Sequence, residues 1–360
     1  MSTAFQRERK RGRGEGTLRC GAVGVGRMGQ HHARVYANEP GCVLAGIVDI
    51  DEGRAAMVAE RLGCAIYPTP EALLESGVDA VSIAVPTTAH EDTARPFLEA
   101  GVACLIEKPL AQDAETARSM KETAERSGAI LMVGHIERFN PVMRAMTKAT
   151  DNGRGVSPRF IEVHRVSQMT FRSVDVSVVM DMMIHDLDVV LMLMGGREPD
   201  EIQAAGVSLI TDHEDICNAR LTWRRPEGVC VANVTASRLA LKTERVMRIT
   251  GENAYIKIDF AEKKGTIIRR IANEIQMREV HEQLRQGTDL TGLNWIELVN
   301  IEPLVIDDEE PLTLEIRSFL EAVRTGTQPP IDANAGFVNV RTAERIIEAV
   351  RETMGTPAAR

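Results

Sequence analysis

A glycine-rich turn near the start of the sequence sets the strongest constraint on its fold. The apolar segment Leu18 to Val23 is typical of a strand, Gly24-Val25-Gly26-Arg27-Met28-Gly29 follows at once, and a helical pattern begins near Met28. This is G-x-G-x-x-G in the strand–turn–helix context that predicts a dinucleotide site. Gly24 permits a sharp turn, Gly26 lets a pyrophosphate approach the backbone, and Gly29 allows the helix to pack closely on the strand. Free N–H groups at the helix start, around Arg27 and Met28, would hold the phosphates.

An acidic residue after the next predicted strand strengthens this interpretation. Asp49 ends the strand Val43 to Val48, about 20 residues beyond the last glycine, where an acid meets the ribose hydroxyls of a dinucleotide. Its charge would repel a 2′-phosphate, so the sequence favours NAD over NADP. Arg54 lies close enough to moderate that preference. A surface turn followed by an unrelated aspartate is the alternative.

The first third of the sequence alternates strands with helices. Further strands are predicted at Val78 to Val85, Val102 to Ile106 and Ile130 to Val133, and helices at Glu52 to Leu62, Thr88 to Ala100 and Ala114 to Ser127. Because the strands are apolar on both faces, they predict a doubly wound parallel sheet that binds ligands at the carboxyl ends of its strands. The residues just past those ends should line one crevice and contact the cofactor: Pro86, Thr87, His90, Glu107 and Lys108, with Gly134 beside them.

The pattern changes from Phe160 onward. One strand, Phe160 to Ser167, and a helix from about Val178 to Met194 precede six strand-like segments separated by turn signals. They predict an α+β domain with an open, mostly antiparallel sheet. Two helices follow, at Thr313 to Thr325 and about Ala333 to Met354. A large open sheet face often becomes a subunit interface, so we expect a homodimer or homotetramer.

These patterns divide the chain into three parts. Residues 1–16 are expected to form a disordered basic N-terminus, residues 17–136 an NAD-binding Rossmann domain, and residues 137–360 a substrate and oligomerisation domain. The last helices are expected to pack back on the Rossmann domain. Polyanion binding is the alternative role for the basic start, which contains Arg7, Arg9, Lys10, Arg11 and Arg13.

The composition is that of an ordinary soluble globular protein. Of 360 residues, 44% are hydrophobic and 26% are charged, which is enough apolar material for two cores. The net charge of −9 argues against an extended nucleic-acid surface. Six cysteines without a C-x-x-C pair predict reduced thiols, no zinc site and a cytoplasmic protein. No apolar run is long enough to predict a membrane span.

Lys108 is the first candidate for chemistry. It follows the strand Val102 to Ile106, so its amine should point into the nucleotide crevice near the nicotinamide. A free lysine is a poor base, but burial and the positive charge of oxidised nicotinamide would both lower its pKa toward neutrality. An exposed loop lysine is the alternative.

A helical segment supplies the second candidate group. Asp181 and His185 are four residues apart on one predicted helix face, and Asp188 lies three residues further on. An aspartate one turn away could accept a hydrogen bond from the imidazole and orient it toward a substrate hydroxyl. A metal site is disfavoured because no third histidine or cysteine stands at a suitable spacing. A histidine that only satisfies the core is the other alternative.

A third group of polar residues is expected to bind substrate at the junction of the domains. His135, Arg138 and Asn140 follow the last strand of the first domain, where a substrate would be clamped. Arg165 and Arg245 belong to a set of cations along the second domain that could meet a phosphorylated or acidic substrate.

Four of these motifs, in this order, resemble the Gfo/Idh/MocA oxidoreductase family. They are Gly24-x-Gly26-x-x-Gly29, Pro86-Thr87-x-x-His90, Glu107-Lys108-Pro109 and Asp181-x-x-x-His185. The resemblance implies an N-terminal Rossmann domain, a C-terminal domain with an open sheet, and hydride transfer from a sugar or cyclitol hydroxyl to NAD. It also implies that Lys108, Asp181 and His185 form the catalytic group and that the Lys108–Pro109 bond can be cis.

A narrower likeness concerns the substrate. The run Gly134 to Pro141, the run Asp181 to Asp188, and Thr235-Ala236-Ser237-Arg238 resemble the branch of the family that includes UDP-N-acetylglucosamine 3-dehydrogenases. The expected reaction is oxidation of the 3-hydroxyl of that sugar nucleotide. Dehydrogenation of inositol, a free hexose or a UDP-uronate is one alternative, and a non-catalytic dinucleotide sensor is another.

Overall fold

Two β-sheets and their covering helices form the described part of the chain. The computed structural model describes residues 16–150, 156–171, 175–272, 274–287 and 294–354. The basic residues between Arg7 and Arg13, on which the polyanion alternative rests, lie outside these ranges. In the described ranges, no helix combines the length and apolar character that crossing a bilayer requires.

The first sheet has six parallel strands in the order β3-β2-β1-β4-β5-β6. Their bounds are β1 Leu18–Val23, β2 Cys42–Val48, β3 Ala65–Ile66, β4 Ala80–Ile83, β5 Ala103–Glu107 and β6 Leu131–Gly134. This is the strand order of a Rossmann fold, whose direction reverses beside β1. The central strand β4 is buried along its whole length, as helices on both faces require. The predicted doubly wound sheet is therefore confirmed, although β3 was missed because it is only two residues long.

Helices cover both faces of this sheet. They are α1 Gly29–Asn38, α2 Glu52–Leu62, α3 Pro70–Glu75, α4 His90–Glu99 and α5 Ala114–Ser127. The bounds of α2 and α5 match the prediction because each has an aspartate N-cap and a left-handed glycine after its end. The helix predicted from Thr88 begins only at His90, because residues Thr87–Ala89 form a 3₁₀ turn.

The second sheet has eight strands in the order β14-β13-β12-β11-β7-β10-β9-β8. Their bounds are β7 Pro158–Val166, β8 Glu201–Val207, β9 Ile216–Arg225, β10 Gly228–Ser237, β11 Glu244–Gly251, β12 Ala254–Asp259, β13 Lys264–Arg270 and β14 Val299–Pro303. Only the pair β7–β10 is parallel. The prediction of an open, mostly antiparallel sheet is therefore confirmed.

The chain after β6 contains five α-helices within the described ranges. They are α6 Pro141–Ala149, α7 Ile184–Leu193, α8 Glu274–Arg285, α9 Pro311–Thr325 and α10 Ala333–Met354, with 3₁₀ turns at Ile136–Phe139 and Trp295–Leu298. The sequence did not predict α6 or α8. The helix predicted from Val178 to Met194 begins instead as a π-helix, Val179–Met183, and becomes α-helical at Ile184.

The last two helices lie across the junction with the first sheet. The α9 helix packs on α1, and α10 packs on α5, β6 and α7. Gly336 makes the close approach possible, because a Cβ there would lie 2.5 Å from the Val133 side chain. The Phe337 ring lies under the guanidinium groups of Arg118 and Arg341, at 5.5 and 5.9 Å. These contacts pack α10 against the first domain.

Candidate active site

A cavity of about 1400 Å³ opens at the carboxyl ends of the first sheet. Its first wall contains the predicted residues Gly24, Gly26, Arg27, Met28, Asp49, Pro86, His90, Glu107 and Lys108. Its second wall contains Arg165, Ser167, Asp181, His185, Arg238 and Arg245. Pockets for one drug-sized ligand measure roughly 300–1,000 Å³. This cavity therefore has room for a dinucleotide and a second molecule side by side.

The glycine turn fits a dinucleotide. A Cβ placed on Gly26 would meet no heavy atom within 4 Å, so its backbone is open to a pyrophosphate. Gly24 has φ +79°, and a Cβ on Gly29 would lie 1.7 Å from the Gly24 carbonyl oxygen. Gly24 and Gly29 are thus required by the turn itself. Gly29 does not line the cavity, and its close approach to the Gly24 carbonyl oxygen agrees with the packing role predicted for it.

Asp49 lies at the end of β2, beside this turn. Its carboxylate accepts hydrogen bonds from the Val25 N–H at 2.8 Å and from both ends of the Arg54 guanidinium at 2.9 and 3.1 Å. Burial raises the pKa of Asp49, but these hydrogen bonds outweigh it and hold the pKa below its usual value. An ionised acid therefore faces the place where an adenosine ribose would lie, with Arg54 as its counter-ion.

His90 links two loops of the first wall. Its Nδ1 lies 3.0 Å from the Pro109 carbonyl oxygen, and its Nε2 lies 3.1 Å from that of Val85. Burial lowers its pKa, while the hydrogen bonds to these carbonyl oxygens offset part of that effect. His90 therefore holds the turn after β5, whose Lys108–Pro109 bond is cis. Thr87 lies outside the cavity lining, which contains Thr88 instead, because the 3₁₀ turn rotates Thr87 away.

Glu107 is held by a buried hydrogen-bonded chain that the sequence did not reveal. Its Oε1 lies 2.9 Å from His32 Nε2, His32 Nδ1 lies 3.0 Å from the Ser82 hydroxyl, and that hydroxyl lies 2.7 Å from the Tyr36 hydroxyl. Burial raises the pKa of Glu107, but the His32 bond and the Lys108 charge lower it more. The cavity thus presents a fixed carboxylate directly before Lys108 in the chain.

Lys108 spans the cavity from the first wall to the second. Its Nζ donates a hydrogen bond of 2.9 Å to the backbone carbonyl oxygen of Asp181. Burial lowers the pKa of Lys108, while the Asp181 and Glu107 carboxylates oppose that effect. A lysine with a lowered pKa inside a cavity can act as a proton acceptor closer to neutral pH.

His185 and Asp181 line the same cavity, but their relationship differs from the prediction. No hydrogen bond joins the Asp181 carboxylate to the His185 ring among the residues that the structure describes, and His185 Nδ1 is buried without a partner. The turn between them is π-helical, and its i→i+5 bonds do not stack residues four apart as an α-helix does. Burial first, and then the charges of Lys108 and Arg165, lower the pKa of His185 well below its usual value. The ring is therefore neutral.

Three residues predicted to bind substrate lie behind the cavity wall, so that prediction is corrected here. Arg138 binds Asp188 through two hydrogen bonds of 2.6 and 2.7 Å, which also removes Asp188 from His185. The Asn140 side chain caps α6 by accepting from the Val142 N–H. His135 is 1% exposed, and neither ring nitrogen has a partner within the described ranges. None of these three residues lines the cavity.

Arg165 reaches the cavity from β7, but two carboxylates already balance its positive charge. Its guanidinium donates to Asp186 at 2.6 and 3.0 Å and to Glu137 at 3.1 Å. The sequence did not predict residues Ser167–Thr170, which also line the cavity. They follow the end of β7, just as the predicted residues of the first wall follow the ends of the strands of the first sheet.

In the described ranges, no group of three or more His, Cys, Asp or Glu residues is placed to hold a metal ion.

Family models match most of the first domain and about half of the second. Residues 18–135 match the oxidoreductase family model described as an NAD-binding Rossmann fold. Residues 153–257 match the model of the GFO/IDH/MocA C-terminal domain. The two matches meet at the cavity, since the first contributes Lys108 and the second contributes His185.

Several named relatives are similar to this chain in sequence or fold. The UDP-N-acetylglucosamine 3-dehydrogenase of Acidithiobacillus ferrooxidans is 40% identical over 258 residues, covering 72% of this chain and 79% of the relative. A solved structure of that enzyme has a TM-score of 0.80 at 35% identity, covering 93% of this chain and 98% of the other. An inositol 2-dehydrogenase of Rhizobium meliloti is 32% identical, covering 54% of this chain and 60% of the relative. A levoglucosan dehydrogenase solved with NADH and levoglucosan is 17% identical with a TM-score of 0.77 and shows the shared fold.

Proposed function

Because this chain belongs to the Gfo/Idh/MocA family of NAD-dependent oxidoreductases, which act on CH–OH groups, we propose that it oxidises the 3-hydroxyl of UDP-N-acetylglucosamine to the 3-keto sugar. The hydrogen bond that brings Lys108 Nζ to the second wall carries this proposal, since it puts a base with a lowered pKa at the meeting point of both walls. The 40% identical relative supports the choice of substrate.

The cavity supports a large substrate beside the cofactor. A dinucleotide on the glycine turn would fill the part of the cavity around Gly26 and Asp49. The remaining part is bounded by His185, Ser167 and Arg245 of the second wall, and it is open to solvent at its edge. A free cyclitol would leave much of this space to water, whereas a nucleotide sugar would fill it.

We assign the chemical step to Lys108 and His185. Bound NAD supplies a hydride acceptor at its nicotinamide ring. Neutral Lys108 can donate one N–H to the Asp181 carbonyl oxygen while its lone pair accepts the proton of the C3 hydroxyl. As the C3–H bond breaks with its electron pair, the C3–O bond becomes a carbonyl. Neutral His185 would donate a hydrogen bond to the same oxygen, and Asp181 would hold the lysine through its backbone.

A homo-oligomer built on the open sheet face is part of this proposal. That face carries cross-strand polar pairs, such as Asn218 with Thr235 at 2.8 Å and Arg220 with Asn233 at 3.2 Å. Such a wide, ordered polar face suits a symmetric interface between two copies of the chain. Sedimentation of the full chain tests this, with a dimer or tetramer expected and a monomer contradicting it.

Turnover with different hydroxyl donors tests the proposed substrate. The protein is mixed with NAD and, separately, UDP-N-acetylglucosamine, free N-acetylglucosamine, myo-inositol or a UDP-uronate, and NADH absorbance is followed. We expect the highest kcat/KM with UDP-N-acetylglucosamine. Faster turnover of myo-inositol would contradict the substrate, and NAD binding without turnover of any of them would favour a sensor.

A further inference from the structure

Two arginines lie directly opposite each other on neighbouring strands of the second sheet. Arg245 of β11 is the register partner of Arg165 of β7. Like charges in this position destabilise a sheet. Arg165 is buried and compensated by Asp186 and Glu137, so its charge is accounted for by protein groups. Arg245 itself is exposed, and Asp186, which already binds Arg165, acts on it only through longer-range electrostatics.

The Arg245 guanidinium lines the cavity without a protein partner. It makes no hydrogen bond or ion pair with any residue in the part of the chain that the structure describes. Arg54 and Arg238 of the lining are committed to protein groups, since Arg54 binds Asp49, and Arg238 donates to the Val176 carbonyl oxygen and lies 3.9 Å from Asp215. A cation retained opposite another cation, and facing a ligand cavity, points to an anionic ligand.

We propose that Arg245 binds the diphosphate of the nucleotide-sugar substrate, an inference that rests on the proposed function. A guanidinium matches phosphate oxygens with two parallel N–H bonds. Arg245 lies on the same wall as His185, so one wall would hold both the reacting hydroxyl and the anionic end of the substrate. The cofactor's own pyrophosphate belongs to the opposite wall, where the glycine turn and Arg27 lie.

Steady-state kinetics of Arg245→Ala and Arg245→Lys test this assignment, with Arg95→Ala on the exposed face of α4 as the matched charge-removing control. We expect Arg245→Ala to raise the KM for UDP-N-acetylglucosamine about ten- to a hundredfold, as loss of a charged hydrogen-bonded contact does. The KM for NAD and the thermal midpoint should stay close to wild type. Arg245→Lys should recover part of the loss, because lysine keeps the positive charge but lacks the two parallel N–H donors of a guanidinium.

Binding of UDP alone separates this proposal from the proposed function. UDP is titrated into NAD-saturated wild type and Arg245→Ala by calorimetry, and weaker binding to the variant is expected. An unchanged affinity for UDP would overturn the role of Arg245. So would a raised KM for NAD with an unchanged KM for UDP-N-acetylglucosamine. If wild type fails to oxidise UDP-N-acetylglucosamine while UDP binding still depends on Arg245, the proposed reaction fails and the anion site stands.

Discussion

The Lys108 ammonium nitrogen lies 2.9 Å from the backbone carbonyl oxygen of Asp181, and this hydrogen bond crosses from the Rossmann domain to the second domain. The two residues are 73 positions apart in the chain. The contact holds the lysine between the two walls of the cavity. It uses the Asp181 backbone and not the Asp181 carboxylate, whose charge raises the pKa of Lys108. His185 lies one helical turn further on the same wall. The candidate chemistry therefore depends on how the two domains meet.

Replacing Lys108 should separate catalysis from cofactor binding. Lys108→Ala removes the proton acceptor, so we expect turnover to fall by about 10²–10⁴ while NAD still binds. Lys108→Arg keeps the charge but cannot deprotonate near neutral pH, so it should be as slow as the alanine variant. Turnover is measured by NADH absorbance, and NAD binding by calorimetry. Near-normal turnover in either variant would refute the assignment.

The rate should rise with pH as Lys108 loses its proton. Burial lowers the pKa of Lys108, so the neutral base becomes available at a lower pH than it would for a free lysine. The kcat/KM profile should show one ascending limb with a midpoint below about 10.4. His185 should add no limb near neutrality, because burial keeps its pKa well below the usual value. A profile that falls with increasing pH across this range would contradict a lysine base.

Gly26 should matter to the cofactor and not to the fold. A Cβ at Gly26 would meet only open space in the protein, so Gly26→Ala should fold with an unchanged thermal midpoint. The same methyl group would occupy the approach of the pyrophosphate and weaken NAD binding by about tenfold or more, a cost of about 1.4 kcal/mol. Gly53→Ala in α2 is the matched control, because its Cβ has only ordinary contacts. Equal NAD affinity in the two variants would show that the turn does not hold the phosphates.

Glu315 should make the protein less stable as the pH rises. It is fully buried on α9, and neither carboxyl oxygen has a partner within the described ranges. Burial first, and then the charges of Glu107 and Asp188, raise its pKa well above the usual value. The unfolded chain releases this proton above pH ~4.3 while the folded protein keeps it, so unfolding is favoured by about 1.4 kcal/mol for each further pH unit.

Denaturant unfolding of Glu315→Gln at several pH values tests this dependence. The amide cannot ionise, so the variant should not lose stability with rising pH through this residue. Its free energy of unfolding should therefore increase relative to that of wild type from about pH 5 up to the folded-state pKa of Glu315. Glu321→Gln, exposed on the same helix, is the control and should follow wild type. A difference between Glu315→Gln and wild type that does not change with pH would show that Glu315 is ionised in the folded protein.

Local signals predicted which residues of the first domain line the cavity. Gly24, Gly26 and Asp49 belong to a short pattern in which each residue has a backbone or hydrogen-bonding reason, and the alternating strands and helices fix where that pattern lies. The position of Lys108 followed from the rule that strand ends share one edge of a sheet. These inferences need no knowledge of contacts between distant parts of the chain.

Long-range partners could not be read from spacing. Asp188 lies near His185 in sequence but binds Arg138, 50 residues away, and Glu107 binds His32, 75 residues away. The π-helical turn before Ile184 also has no sequence signal that distinguishes it from an α-helix. The second wall was therefore predicted only in part, because Ser167–Thr170 were missed and the predicted residues His135, Arg138 and Asn140 do not line it.

Transfer of an isotopic label from the sugar to the cofactor tests the central claim most directly. Wild-type protein is incubated with NAD and UDP-N-acetylglucosamine carrying deuterium only at C3, and the NADH formed is analysed by mass spectrometry. The account predicts NADH that contains the deuterium, at a rate that collapses in Lys108→Ala. NADH without the label, or no NADH at all, would contradict oxidation of the 3-hydroxyl at this site.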